Sequence, residues 1–225
     1  MPSFDIVKTC TPSNSFRVAK VKADFDVKTE HAKEHFIGEI KIPEEWNIGV
    51  IWGGSGTGKS TIAKTLFSSD YINGFEYTAK SVIDDMPKNV NVDDIERAFY
   101  AVGFGSVPSW LKPYSVLSNG EKMRVDLARA LLERDMVCFD EFTSVVDRQV
   151  AKTACIAINK AVKTQNKKFI AVSCHSDILE WLQPDWVFCT DDMTNFFGTA
   201  HDRKSDLKSE NASGQSGQNL SVIII

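Results

Sequence analysis

The stretch Gly53-Gly54-Ser55-Gly56-Thr57-Gly58-Lys59-Ser60 constrains this chain more than any other, because it matches the spacing GxxxxGK[ST]. Ile48-Gly49-Val50-Ile51-Trp52 before it reads as a buried strand, and Thr61-Ile62-Ala63-Lys64-Thr65-Leu66-Phe67 after it as a helix. Glycines in such a loop let consecutive backbone N–H groups curl inward onto phosphate oxygens, and the helix N-terminus adds partial positive charge. Lys59 then supplies a mobile point charge for phosphate groups, and Ser60 a hydroxyl ligand for Mg2+. The loop alone leaves kinases, GTPases, helicases and transport ATPases open.

The surrounding pattern sets the fold class. Met136-Val137-Cys138-Phe139, Phe169-Ile170-Ala171-Val172-Ser173 and Trp186-Val187-Phe188-Cys189 read as further buried strands. Helical periodicity between them is best in Glu121 to Glu133, where Met123, Leu127, Ala130 and Leu131 share a face. The alternation predicts an α/β core with a largely parallel sheet. Ahead of it, Phe16 to Val27 and Phe36 to Ile42 predict strands with one wet face.

A net charge of −4 argues against a histone-like or arginine-rich nucleic-acid binder, although a local basic patch stays possible. No apolar run approaches the roughly 20 residues that cross a bilayer, and the N-terminus lacks a signal-peptide core. The five cysteines (Cys10, Cys138, Cys155, Cys174, Cys189) include no CxxC pair, which fits reduced thiols and a cytoplasmic location. Residues 1–200 read as one domain, and 201–225 as a disordered tail, poor in apolar residues until its Val222-Ile223-Ile224-Ile225 tip. His31 and His35 have i, i+4 spacing but no further ligands, so they read as part of a solvated charged turn. Asp191, Asp192, Lys163, Lys167 and Lys168 read as solvated surface.

Three later motifs narrow the chemistry. Leu117-Ser118-Asn119-Gly120-Glu121 opens the amphipathic helix, with Ser118 and Glu121 spaced as a capping box and Gly120 bare enough for close backbone approach to a ligand. Asp140-Glu141-Phe142-Thr143-Ser144-Val145-Val146-Asp147 places two acids at the end of an apolar strand. A bare carboxylate there needs a cation or donors, which suits Asp140 to Mg2+, while Glu141 points differently and can polarise water. Ala171-Val172-Ser173-Cys174-His175 sets a histidine after the next strand.

With the loop, these motifs resemble the ATP-binding cassette (ABC) superfamily over roughly residues 16 to 197. Leu117 to Glu121 looks like its LSGGQ signature, Asp140 to Asp147 like DEPTSALD (the Walker B end running into the D-loop), and His175 like the switch histidine. The resemblance implies a P-loop NTPase with a central mostly parallel sheet flanked by helices, an N-terminal antiparallel β-subdomain and a helical subdomain, here reduced to about 88–116. It implies ATP and Mg2+ as cofactors and a head-to-tail homodimer. In that dimer Gly53 to Thr61 of one subunit and Ser118, Gly120 and Glu121 of the other would sandwich the nucleotide. Lys59, Glu141 and His175 would act on the γ-phosphate, Asp147 would help set the water, and Ser60 and Asp140 would hold the metal.

Two departures qualify the resemblance. No glutamine lies between Lys59 and Leu117 to serve as the Q-loop residue, so Asp84 or Asp85 is a candidate for its Mg2+-linked role. Phe25 stands where the adenine-stacking aromatic belongs, though as a strand phenylalanine it could equally be core. The short interval from Lys59 to Leu117 leaves little of the surface that receives a membrane subunit, and no heptads suggest a coiled coil. Residues Ser109 to Lys122 look similar to compact soluble ABC ATPases of phage type or associated with acetyltransferase-like domains. The expectation is therefore a soluble ATPase acting on a client protein without membrane insertion. A transporter ATP-binding subunit and an ATP-dependent clamp on nucleic acid are the alternatives.

Overall fold

The structure is a computed structural model and describes residues 2–26 and 32–197. In chain order these form β1 (Ser3–Cys10), α1 (Phe16–Asp24), β2 (Ala32–Glu39), β3 (Ile48–Trp52), α2 (Lys59–Leu66), β4 (Tyr71–Ile72), α3 (Val92–Ala101), α4 (Val107–Trp110), α5 (Asn119–Glu133), β5 (Met136–Phe139), α6 (Arg148–Thr164), β6 (Lys168–Ser173), α7 (Ile178–Leu182), β7 (Trp186–Cys189) and β8 (Thr194–Phe197).

The apolar runs form one sheet because both of its faces are covered. Its strand order is β4-β5-β6-β3-β7-β8, parallel throughout except for the β7–β8 pair. Val50, Val137, Phe169, Ala171 and Val187 face a core shared with α3, α5, α6 and α7. The alternate residues Ile51, Cys138, Ile170, Val172 and Phe188 face a second core with Ile62 and Ala63 of α2. β1 and β2 form a separate antiparallel pair whose Phe4 and Phe36 enter this second core, Phe4 meeting Phe188 edge-on at 5.8 Å. Burial pushes the Cys155 thiol up to about 12, and Cys138 and Cys189 are likewise buried.

Several expectations are corrected here. Phe16 to Asp24 is helical, not extended: Ser15 caps it by accepting the Val18 N–H, and Val18, Val21 and Phe25 are spaced three and four apart, as on one face of a helix. Phe25 is thus the residue after a helix, 75% exposed, and not a strand residue. The strand that precedes α1 is β1, which the sequence did not announce. Residues 32–35 lie in β2 and not in a turn, and His35 pairs with Asp5 at 2.5 Å across the hairpin. Lys167 is not solvated surface, because its ammonium caps the end of α5 at the carbonyls of Leu131 and Arg134. Val27, His31 and the tail from 201 onward lie outside the described residues.

Candidate functional site

The registers align the carboxyl ends of the strands, so the segments that leave them meet along one edge of the sheet. Trp52 pairs with Ser173 and with Cys189, Phe139 with Ala171, and Ile72 with Phe139. Across that edge in order stand Asn73, Asp140-Glu141, His175, the glycine loop and Thr190-Asp191. Such an edge is where open α/β sheets bind ligands.

The loop from Gly53 to Gly58 turns through two left-handed glycines, Gly56 (φ +83) and Gly58 (φ +87). A Cβ on Gly58 would lie 2.7 Å from the Phe36 ring, so β2 supports the loop from beneath, whereas at Gly56 nothing lies within 4 Å. The loop is thus firm on its inner side and open on its outer side. Lys59 begins α2 and is 9% exposed, its ammonium donating to the Gly54 carbonyl. Thr57 Oγ1 donates to the same carbonyl at 2.9 Å and shares a 2.6 Å hydrogen bond with Thr190. Asp191 is not mere surface: its carboxylate accepts the Gly54 N–H at 2.7 Å, so this loop amide already holds an oxyanion. Ser60 and Thr61 follow, half-buried, in the first turn of α2.

Both oxygens of Asp140 have donors. The Tyr71 phenol reaches Oδ2 from the neighbouring strand, and the Glu141 N–H reaches Oδ1 at 2.9 Å. Burial, then the bond to Asp140, pushes the Tyr71 phenol above its usual range. Glu141 is exposed and sits at φ +50, with Thr143 at φ +67. Left-handed conformations at residues other than glycine cost about 1–3 kcal/mol and cluster at functional positions. The turn is held by the Glu141 carbonyl, which accepts from the Ser144 N–H at 3.1 Å and the Ser144 hydroxyl at 2.7 Å. His175 is half-buried, and its backbone N–H donates to Ser173 Oγ at 3.2 Å.

A cavity of about 360 Å³ opens beside the two acids, lined among others by Asn73, Gly74, Tyr114, Lys122 and Asp126. Asn73, like Asp191, borders this edge and was not singled out by sequence reasoning. The strand it follows, β4, is two residues long and becomes visible only through its pairing with β5. Asp85 is instead tied to the backbone N–H groups of Thr78 and Ala79, each at 3.1 Å.

The start of α5 is more self-contained than its sequence suggests. The Glu121 carboxylate accepts from Ser109 Oγ at 2.7 Å and from the Ser118 N–H and hydroxyl at 2.9 and 2.8 Å. These donors, Ser109 first, hold it below the usual carboxylate range. A Cβ on Gly120 would come within 3.2 Å of Val150. Ser118 itself is exposed. Asp147 caps α6 by accepting the Val150 N–H at 2.9 Å. Among the described residues, no group of three or more His, Cys, Asp or Glu is arranged to hold a metal, and no helix is long and apolar enough to cross a membrane.

No protein-family profile matches the sequence, and no curated protein matches it. Solved structures do. A dimeric ATP-binding cassette in a post-hydrolysis state, bound to ADP and Pi, superposes with a TM-score of 0.59 at 12% identity, over 83% of this chain and 92% of that one. The fold is that of an ATP-binding cassette. An inward-facing transporter assigned to the metal-chelate type gives 0.58 at 16% identity, over 75% of this chain and 78% of that one. A bacterial Atm1-family exporter with ATP bound gives 0.55 at 16% identity, where the match covers 74% of this chain and 37% of the exporter. The cassette fold accounts for the parallel sheet, the flanking helices and the separate antiparallel pair.

Proposed function

We propose that this chain binds Mg-ATP and hydrolyses it to ADP and phosphate. The carrying observation is the outward-open glycine loop, with Lys59 buried at its base, on the same sheet edge as the left-handed Glu141. The nucleotide's phosphates enter the cradle of loop N–H groups at the start of α2. Lys59 exchanges its bond to the Gly54 carbonyl for the β- and γ-phosphate oxygens. Ser60 and Asp140 fit Mg2+, the second because the Tyr71 and Glu141 donors fix its orientation. A Mg2+ ion held by these two residues would supply Lewis-acid stabilisation of the charge on the phosphates. Glu141 accepts a proton from the attacking water, and His175 and Asn73 border the γ-phosphate from either side of the acid pair.

The finer reading is a homodimer that closes head to tail on ATP, Ser118 of one copy reaching the phosphates held by the other. The exposure of Ser118 and the dimeric state of the ADP-bound cassette favour it. The short segment between α2 and α5 favours a soluble ATPase over a transporter subunit.

Lys59→Ala is expected to abolish ATP binding in calorimetry, and unchanged affinity would refute the loop's role. Glu141→Gln is expected to run as a dimer on size exclusion with Mg-ATP and as a monomer without it. Persistence of the monomer at saturating Mg-ATP would sink the dimer mechanism.

A further inference from the structure

Asp126, in the middle of α5, is half-buried and has no part in the chemistry above. Its two oxygens take two different phenols, Tyr77 on Oδ1 at 2.7 Å and Tyr114 on Oδ2 at 2.8 Å. The two rings stack face to face, centroids 3.9 Å apart and 5° from parallel. One turn on, Arg129 donates to the Glu76 carbonyl at 2.9 Å and lies over the Phe75 and Tyr77 rings at 4.7 and 5.2 Å. Lys122 lies over Tyr114 at 5.6 Å. Charged groups therefore face the phenol pair from two turns of the same helix, and they offset part of the cost of withdrawing Asp126 from water.

The bonded partners come from two separate loops. Tyr77 belongs to the loop that leaves β4 through Asn73 and Gly74, and those residues line the cavity with Asp140 and Glu141. Tyr114 belongs to the loop that delivers Ser118 to the start of α5. One carboxylate thus ties together the approach to the hydrolytic edge and the approach to the exposed serine. A core of this size could have joined them with apolar contacts. Two oriented hydrogen bonds fix distance and angle as well as proximity.

We propose that the Tyr77–Asp126–Tyr114 clamp is a positioning device for hydrolysis, holding Asn73 in place at the Asp140–Glu141 edge and in fixed relation to Ser118. This rests on the ATP-hydrolysis reading. Asp126 touches no substrate; it acts through Asn73. Misplacing a group that borders the reacting phosphate slows the chemical step more than it weakens binding.

The test removes one hydroxyl and keeps the stack. Tyr77→Phe, compared with wild type at a temperature where circular dichroism shows both folded, is expected to lose between about 10- and 100-fold in kcat. Its KM for ATP is expected to stay within about threefold. Asn73→Ala is expected to show a similar loss, and the double variant no further loss, because the clamp works through that residue. Unchanged kcat in folded Tyr77→Phe overturns the clamp, as do fully additive losses in the double variant. A wild-type chain without ATP turnover overturns the hydrolysis reading and the clamp with it. Turnover in wild type with an indifferent Tyr77→Phe overturns the clamp alone.

Discussion

α1 and α5 both begin at a serine N-cap whose hydroxyl accepts an N–H three residues on, yet α1 buries no side chain and α5 buries six. The difference is not local propensity, since α1 is rich in Ala, Lys and Arg, which are good helix formers. It lies in what each helix is attached to. α5 leads straight into β5, so its apolar face lies on the sheet and its last carbonyls meet Lys167. α1 is an excursion between the two strands of the β1–β2 pair, and none of its residues is buried among the described ones. Their first turns differ in the same sense. Glu121 completes the capping box in α5 and suits the positive end of the helix, whereas α1 has Arg17 there.

The contrast can be sharpened by substitution. The largest effect belongs to the buried face of α5: Leu127→Ala is expected to cost about 2–5 kcal/mol. Urea unfolding should show the midpoint falling with little change in slope. Next comes its cap, where Ser118→Ala is expected to cost about 1 kcal/mol by the same measurement. Glu121 adds a pH signature. Its carboxyl titrates lower in the folded chain than in the unfolded one, so its stabilisation is complete above the unfolded value. That stabilisation is lost as pH falls through the folded value. Glu121→Gln should therefore be less stable than wild type near neutrality and converge on it in acid. The smallest effect belongs to α1: Val21→Ser, on an exposed face, is expected to stay within about 0.5 kcal/mol. A cost at Val21 as large as that at Leu127 would mean that α1 packs against something in solution and would end the comparison.

How much of this was readable in advance depends on the range of each signal. The glycine loop, the Ser118 capping box and the acid pair are local patterns, and each sits on the element expected of it. Phe16 to Asp24 was misread because Phe16 and Val18, and then Val21, Ala23 and Phe25, each alternate locally; the step of three from Val18 to Val21 breaks that alternation and suits a helix, which Ser15 caps. Asn73 and Asp191 were missed for another reason. Neither belongs to a motif, and each reaches the site through strand pairing between segments distant in sequence. A contact of the same range stands at Gly120, where a Cβ would also press on Val150, a full helix and strand away in sequence.

The backbone at Glu141 carries one more implication. A left-handed turn there is a conformation that glycine or asparagine adopts more easily than glutamate. A chain optimised only to fold would place one of those residues at 141. Under the hydrolysis proposed above, thermostability and turnover make opposite demands at this position, so substitutions that relax the turn should make a sturdier protein and a poorer catalyst.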